Sequence, residues 1–496
     1  MRTAAVAFII SMLCGAFLTP IVRRLAHRLG ILDHARSSRK IHGQPIPRLG
    51  GIAIVIAFYT PLIGLLIFQS SVGEMFLAER EHVIGLFTGG LVIALLGLYD
   101  DLRGADAWKK FVVQFAVAGL LYRLGFRVEN VANPFGEPIA LGWLSLPFTL
   151  LWTVGVINAM NLIDGLDGLA GGVALVAVVT TFVISIQRGH PLMMLFSSAL
   201  AGAIVGFLFY NFNPASIFMG DTGSMFLGFV LATTALQTNQ KASTAVAVMI
   251  PTIALGLPIM DTLLAIARRA IRGRPLFQAD KEHIHHRLLA SGLSHKQAVL
   301  VLYGFCVFLG GAALFLTYAN SMQSSLLLVG LAVVAFVFLR SLGYMRLSAV
   351  TVTVDDRKRY RAMRAAIHAL GKRLQQVTGL DQMWPIVIET SRVFGATSAR
   401  LVLEIPTEDD AQTPTTFSHG AAEETAETFR WQFVIPGSKG PDRMLEFGWN
   451  DGRRQIDRDT EIAVGVFCEF LASGLESMKE PKGLAPRRPA GTEPRA

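Results

Sequence analysis

Eleven long apolar runs constrain the fold of this chain more than any other feature of its sequence. Each is close to the roughly 17 to 25 residues that a helix needs to cross the hydrocarbon of a bilayer, where only helices and closed barrels satisfy the backbone. Hydrophobic residues make up 52% of the 496 residues and charged residues 16%, which leaves too few polar groups to cover a soluble protein. The sequence therefore predicts an all-α polytopic membrane protein with about eleven transmembrane helices in residues 1–344. The runs lie near residues 4–22, 50–69, 82–99, 109–125, 143–160, 169–186, 192–210, 222–237, 245–266, 297–318 and 323–341.

Basic residues are concentrated in alternate connections between these runs. Clusters of Lys and Arg follow the first, ninth and eleventh runs, whereas the other connections contain isolated residues such as Arg80 and Arg127. Such clusters mark the cytoplasmic side, so we expect the N-terminus outside and the C-terminus in the cytoplasm, with the chain in the inner (cytoplasmic) membrane. The arginines after the first run favour a retained helix over a cleaved signal peptide. This topology accounts for the net charge of +9, and no nucleic-acid partner is predicted.

Residues 345–480 differ from the rest because the apolar runs stop. Helical patterns at 355–377, 381–395 and 458–477 and strand patterns at 398–405, 429–436 and 443–449 predict a cytoplasmic α+β module. It distantly resembles a GAF-type sensory module, but no ligand motif names what it binds, and its partner stays unknown. Residues 481–496 are rich in Pro and Arg, which predicts a disordered tail.

Acidic and amide side chains occur at the cytoplasmic ends of several runs, where burial of a charge is costly. Each has a simple structural alternative: a solvated helix end for the pair after the third run, Asx turns for the group after the fifth, and a helix N-cap for the acid at the eighth. Their accumulation on one membrane face favours a functional site instead. These residues are Asp100 and Asp101; Asn158, Asn161, Asp164 and Asp167; and Asn211 and Asp221.

Cationic side chains lie in two connections on the same face. Lys40, His42 and Arg48 belong to a loop stiffened by two prolines, and His283, His285, His286 and Arg287 precede the tenth run. These basic residues could also serve only to fix the topology. No cysteine accompanies the histidines, which disfavours a zinc site. The acids favour a hard cation such as Mg²⁺, and the basic groups suit phosphates. The combination predicts phosphoryl transfer with a lipid as one substrate.

Five ordered motifs closely resemble the polyprenyl-phosphate N-acetylhexosamine-1-phosphate transferases, in glycosyltransferase family 4. The motifs are residues 33–51, 100–101, 158–172, 211–224 and 283–288, and the resemblance covers residues 1 to about 341. The Arg-Lys loop and the His-Ile-His-His form are similar to the branch that starts common-antigen and teichoic-acid synthesis.

The resemblance implies that a UDP-N-acetylhexosamine, preferably UDP-N-acetylglucosamine, gives its sugar 1-phosphate to undecaprenyl phosphate at the cytoplasmic face. UMP is released, Mg²⁺ is required with Mn²⁺ as the alternative, and a cell-envelope polysaccharide is started. By motif position, Asp221 would be the principal metal ligand beside Asp100 and Asp101, and Asp100, Asp101 and Asp164 would form the catalytic centre.

The remaining motif residues are expected to bind substrate. Asp167, Asn211 and Phe218 would form the uridine pocket, with the Phe218 ring stacking on uracil, although that ring could equally be ordinary core. The other expected substrate-binding residues are Lys40, His42, Arg48, Asn158, Asn161, His283, His285, His286 and Arg287.

Three alternatives remain open. A secondary transporter of a lipid or nucleotide sugar would also contain intramembrane acids, but no convincing inverted repeat is present. A scaffold whose C-terminal module binds a partner would not need the acids. Direct attack by the lipid phosphate is favoured over an aspartyl-phosphate intermediate. The oligomeric state, including a homodimer, is left open.

Overall fold

The structure is a computed structural model, and it divides the chain into two compact units, Met1–Arg346 and Leu347–Ala496. Each unit is described by itself. The residues that the structure describes are 1–33, 46–67, 71–131, 139–240, 249–272, 282–344, 348–403, 416–420, 429–435, 443–453 and 456–477.

The first unit is a helical bundle with two short antiparallel strand pairs in its connections. Strand β1 (Leu32–Asp33) pairs with β2 (Ile46–Pro47), and β3 (Asn130–Val131) pairs with β4 (Ile139–Ala140). The helices α1 to α14 are Arg2–Arg28, Gly50–Ile67, Ser71–Ala78, Arg80–Arg103, Ala107–Arg123, Ser145–Ile163, Leu169–Gln187, Pro191–Asn211, Gly220–Gln240, Met249–Ala254, Gly256–Arg272, Ile284–Ala290, His295–Leu316 and Ser321–Ser341.

Eight helices within the described residues are long and apolar enough to cross a membrane. They are α1, α2, α4, α6, α7, α8, α13 and α14, and each coincides with a predicted run. The other three runs fall on α5, which has 17 residues, on α9, and on α10 and α11, which are interrupted at Leu255. The protein is thus a multi-pass membrane protein, and eight of the eleven predicted runs are helices that could cross a membrane by their length and composition.

Helix α9 lies at the centre of the bundle, which explains its weak apolar signal. Every residue from Thr222 to Thr238 is buried, and α9 packs against α2, α4, α6 and α7. Thr233 and Thr234 donate their hydroxyl hydrogens to backbone carbonyls one turn earlier in the same helix. A helix surrounded by protein in this way tolerates polar side chains that a helix facing lipid would not.

The second unit contains a four-stranded antiparallel sheet and three helices. The sheet has the order β6-β5-β8-β7, and its central strand β8 is buried along most of its length. Leu445, Phe447 and Trp449 of β8 form a core with Val464 and Phe467 of the last helix. The elements are α15 (Ser348–Gln375), α16 (Leu380–Val393), β5 (Ser398–Val402), β6 (Thr416–His419), β7 (Phe429–Ile435), β8 (Arg443–Trp449) and α17 (Arg458–Ser477).

Two features of this unit differ from expectation. Strand β6 was not predicted, because its four largely exposed residues show no apolar alternation and gain their structure by pairing with β5. Helix α15 begins at Ser348 rather than near 355. The Val-Thr repeat in its first turns contains β-branched residues, which are poor helix formers in isolation.

Candidate active site

Two carboxylates from distant motifs meet at one lysine. Asp100 lies in the last turn of α4, and its Oδ2 accepts a hydrogen bond from Lys110 Nζ, in α5. The same Nζ donates to Asp221 Oδ2, in the first turn of α9, at 2.7 Å. The side chains of Lys110, Asp100 and Asp221 are 20%, 11% and 31% exposed, so water screens the arrangement only in part. Lys110 was not identified from the sequence. Its position in the first turn of an apolar helix was the only feature that could have indicated a functional role.

Asp101 turns away from this lysine and caps α9. Its Oδ1 accepts a hydrogen bond from the backbone N–H of Asp221 at 2.9 Å, and its Oδ2 accepts from the N–H and hydroxyl of Thr222 at 3.0 and 2.6 Å. A carboxylate at a helix N-terminus satisfies N–H groups that have no partner within the helix. Gly220, at φ +67°, makes the turn that exposes them. Asp101 therefore fixes the position of Asp221.

The first motif holds the other side of this turn through its backbone. Phe218 N donates to Pro47 O at 2.8 Å, and Gly50 N donates to Phe218 O at 2.9 Å. Arg48 then reaches the backbone oxygen of Asp101 at 2.8 Å through Nη2. The ring of Phe218 is half-buried. Lys40 and His42, predicted in the same motif, lie outside the described residues.

The two asparagines of the third motif connect helices inside the bundle. Asn161 Nδ2 donates to Ser224 Oγ at 3.0 Å and so links α6 to α9. Asn158 Nδ2 donates to Gln114 Oε1 at 2.7 Å and links α6 to α5. Asn161 thus contacts the first turn of α9, which carries Asp221, whereas Asn158 contacts α5.

Asp167 and Asn211 join the loop after α6 to the loop after α8. Asp167 Oδ2 accepts a hydrogen bond from Asn213 Nδ2 at 2.9 Å, and Asn211 Oδ1 accepts from Gly168 N at 3.1 Å. Both side chains are buried. Gly168 adopts φ +76°, where a residue with a Cβ would be strained. These contacts shape the loops that were expected to bind uridine.

Asp164 differs from the other acids because its carboxylate has no hydrogen bond within the described residues. It lies at the end of α6 with a raised pKa of about 8. Desolvation is the main cause, and repulsion by Asp221 and Asp101 adds to it. Asp164 is therefore close enough to the other carboxylates to feel their charge and remains available to a ligand.

A buried pair positions the histidines of the fifth motif. Asp261 of α11 accepts from the backbone N–H of Ile284 through Oδ1 at 2.9 Å, and its Oδ2 lies 2.8 Å from His283 Nδ1. Both side chains are less than 10% exposed. Asp261 was not predicted, because a single acid in an apolar helix has no visible partner in the sequence.

His285 lies against the turn that follows Asp164. A Cβ placed on Gly165 would be 2.5 Å from His285 Nε2, so a side chain there would require the His285 ring to shift. Both ring nitrogens of His285 are buried without a hydrogen-bond partner in the described part of the chain, and burial lowers its pKa to about 3. The neutral ring stacks parallel to His283, with centroids 5.8 Å apart, and contacts His286 on its other side.

Arg287, the last predicted residue of this motif, makes a different set of contacts. Its guanidinium pairs with Glu282 and with a backbone carbonyl at the end of α14. It therefore helps to hold α12 in place, and its expected contact with substrate stays a prediction.

The donor set can be compared with the requirements of Mg²⁺. The described residues contain no group of three or more His, Cys, Asp or Glu that could hold a metal ion. Asp100 and Asp221 nevertheless converge on one cationic group, Lys110 Nζ. Two convergent carboxylates suit Mg²⁺, which usually takes one or two from the protein and completes its octahedron with water and substrate phosphates.

Comparisons with known proteins identify close relatives. The model of glycosyl transferase family 4 matches residues 83–239, which include all the acids of the second to fourth motifs. A probable undecaprenyl-phosphate N-acetylglucosaminyl 1-phosphate transferase of Bacillus subtilis is 39% identical over 299 residues, 60% of this chain and 80% of the relative. A decaprenyl-phosphate N-acetylglucosaminephosphotransferase of Mycobacterium tuberculosis is 35% identical, over 68% of this chain and 88% of the relative. A phospho-N-acetylmuramoyl-pentapeptide-transferase of Listeria welshimeri is 31% identical, over 61% and 93%.

Proposed function

This chain belongs to glycosyl transferase family 4, and from that membership we propose that it transfers N-acetylglucosamine 1-phosphate from UDP-N-acetylglucosamine to undecaprenyl phosphate and releases UMP. The observation that carries the proposal is the meeting of Asp100 and Asp221 at one cation, beside Asp164. The names of the two relatives that act on N-acetylglucosamine and a polyprenyl phosphate support the choice of donor and acceptor.

The reaction exchanges one phosphoryl–oxygen bond for another. An oxygen of the lipid phosphate attacks the β-phosphorus of the donor, the bond from that phosphorus to the bridging oxygen breaks, and UMP leaves with the electron pair. Both reactants are anionic, so their charges must be neutralised before the oxygen and the phosphorus can come within reach. The cationic and metal-binding groups of the site match this need.

The carboxylates have different roles around the lipid phosphate, which is the acceptor. Asp100 and Asp221 would hold Mg²⁺, which would supply positive charge to offset that of the phosphates. Asp100 also orients the lipid phosphate and accepts the proton when that phosphate is protonated. Asp101 acts through Asp221, whose backbone N–H it binds. Asp164 faces the same region with its carboxylate uncommitted to other described residues.

The donor occupies the side formed by the third to fifth motifs. Asp167 and Asn211 shape the loops around the uridine, and the half-buried ring of Phe218 offers a stacking surface. His285 and His286 contact the sugar or the phosphates, because His285 brings two unpartnered nitrogens to the Asp164 turn. A neutral imidazole supplies one donor and one acceptor, which suits a sugar hydroxyl.

We also propose that all eleven apolar runs cross the membrane, with the N-terminus outside and the C-terminus in the cytoplasm. The basic clusters after the first, ninth and eleventh runs support this topology. The five motifs then share the cytoplasmic face, where nucleotide sugars are available.

Release of UMP tests the proposed activity. Purified protein with undecaprenyl phosphate, Mg²⁺ and a panel of UDP-sugars should release UMP with UDP-N-acetylglucosamine and not without the lipid. Asp221→Asn should lower the rate at least about 100-fold, because it removes a charge from the reacting centre. Asp106→Asn is the matched control, since Asp106 is 76% exposed and pairs only with the exposed Lys109 among described residues. Equal rates for the two variants, or no release with any donor, would overturn the proposal.

A further inference from the structure

Helix α14 is followed by a turn that brings Tyr344 against Glu282. Gly343 N donates to Arg340 O and Tyr344 N donates to Leu339 O, both at 3.0 Å. Gly343 adopts φ +76°, the left-handed conformation that glycine accepts most readily after a helix. The turn places the Tyr344 hydroxyl 2.7 Å from the backbone oxygen of Glu282, to which it donates.

The Tyr344 ring contacts two arginines that share one carboxylate. The Cζ atoms of Arg287 and Arg268 lie 3.9 and 5.3 Å from the ring centroid. Arg287 Nη2 donates to Glu282 Oε2 at 3.1 Å, and Arg268 Nε lies 3.8 Å from the same oxygen. Arg287 Nη1 also donates to Leu342 O at 3.1 Å, in the turn itself. We call these four residues, Glu282, Arg287, Arg268 and Tyr344, the Tyr344 cluster.

This cluster borders the helix that carries the active-site histidines. Glu282 directly precedes His283, and Arg287 follows His286 in α12. Helix α12 has seven residues, too few to be stable without tertiary contacts. Asp261 of α11 holds its N-terminus, and Tyr344, from the turn after α14, holds Glu282, the residue just before His283.

We propose that Tyr344 is a positioning residue for His285 and His286, acting through Glu282 and Arg287. Tyr344 lies outside all five motifs, and it contacts none of the carboxylates of the proposed reaction in the described residues. Its loss lets α12 move away from the Asp164–Gly165 turn, against which His285 packs. The inference rests on the proposed function, in which these histidines bind the donor, so binding of the donor and not of the lipid should weaken.

Steady-state kinetics of Tyr344→Ala and Tyr344→Phe test the proposal. We expect Tyr344→Ala to raise KM for UDP-N-acetylglucosamine about tenfold, because it removes the cation–π contacts and the hydrogen bond together. Tyr344→Phe, which keeps the ring, should raise it about threefold. KM for undecaprenyl phosphate should change less than about twofold in both. Tyr318→Ala is the matched control, because Tyr318 lies after α13 and is 75% exposed. Equal increases in both KM values, or an unchanged donor KM, would overturn the proposal.

A double-mutant cycle with Arg287→Ala separates positioning from direct contact. If Tyr344 acts through Arg287, the double variant should raise the donor KM little more than the more affected single variant. Independent, multiplying effects would contradict the proposed route through Arg287.

Hydrogen exchange gives a readout that does not need catalysis. Amides of residues 283–290 should exchange faster in Tyr344→Ala than in Tyr318→Ala, while α9 stays protected in both. If the wild type releases no UMP, the proposed function fails, and this measurement still decides whether Tyr344 holds α12. Unchanged exchange in α12 would refute the positioning role.

Discussion

Lys110 bridges two carboxylates that would otherwise repel each other. Its Nζ binds Asp100 and Asp221 together, in surroundings where all three side chains are mostly buried. Without a cation between them, two partly desolvated carboxylates raise the energy of the ionised state. Lys110 therefore offsets the repulsion between the two acids and holds their side chains close together.

Replacement of Lys110 should affect catalysis, whereas replacement of its neighbour should not. We expect Lys110→Gln to lower the rate of UMP release by about 100-fold, since it removes a positive charge from the reacting centre. Lys109→Gln should retain the wild-type rate within about twofold, because Lys109 is 63% exposed and pairs with the exposed Asp106. Similar losses in both variants would show that general charge near the membrane, and not the bridge, matters.

The sequence predicted the acids of this site but not their partners. Asp100, Asp164 and Asp221 were recognisable because charged residues at the ends of apolar runs are costly and therefore informative. Lys110 and Asp261 were not recognisable, because the fold alone brings each one close to its partner. Lys110 contacts Asp221, 111 positions away, and Asp261 contacts His283. The capping role of Asp101 was hidden for the same reason.

The helices reach this geometry through close backbone contact between α2, α4 and α9. A Cβ on Gly51 would lie 2.6 Å from Gly223 Cα and 2.8 Å from Met219 O, and a Cβ on Gly97 would lie 2.5 Å from Thr222 Cα. Glycines thus allow α2 and α4 to approach the start of α9, where Asp221 lies. The sequence indicated α9 only weakly as a span, because its buried hydroxyl groups lower its hydropathy; burial by neighbouring helices is not visible in a single run.

A methyl group at Gly51 should disturb this contact. We expect Gly51→Ala to destabilise the protein by about 1–3 kcal/mol, since the backbone atoms of α9 must move to make room. Gly64→Ala, in the same helix, is the matched control, because a Cβ there would meet nothing within 4 Å. Thermal unfolding in detergent, followed by tryptophan fluorescence, measures the difference. An unchanged transition temperature in Gly51→Ala would contradict the close packing.

The number of membrane crossings determines the arrangement of the whole molecule. An odd number places the two ends of the first unit on opposite sides, whereas eight crossings would place them on the same side. The motif-bearing ends of α4, α6 and α9 lie together in the structure, as the topology with eleven crossings requires of its cytoplasmic connections.

Labelling of single cysteines tests this topology. In a variant whose three native cysteines are replaced by alanine, Tyr318→Cys should react with a membrane-impermeant maleimide in intact cells. Lys109→Cys should react only after the membrane is permeabilised. Both positions are exposed, so accessibility on the protein does not limit either reaction. The reverse pattern would invert the proposed orientation, and labelling of both in intact cells would refute it.

The transfer of a sugar 1-phosphate, and not of a sugar alone, is the central claim. It is tested most directly by the fate of the β-phosphorus in UDP-N-acetylglucosamine labelled at that atom. With undecaprenyl phosphate and Mg²⁺, the account predicts that the label enters the lipid fraction in equal amount to the UMP released. Two results would contradict it. One is label that stays in the aqueous phase while the sugar reaches the lipid, and the other is label that stays in intact UDP-N-acetylglucosamine.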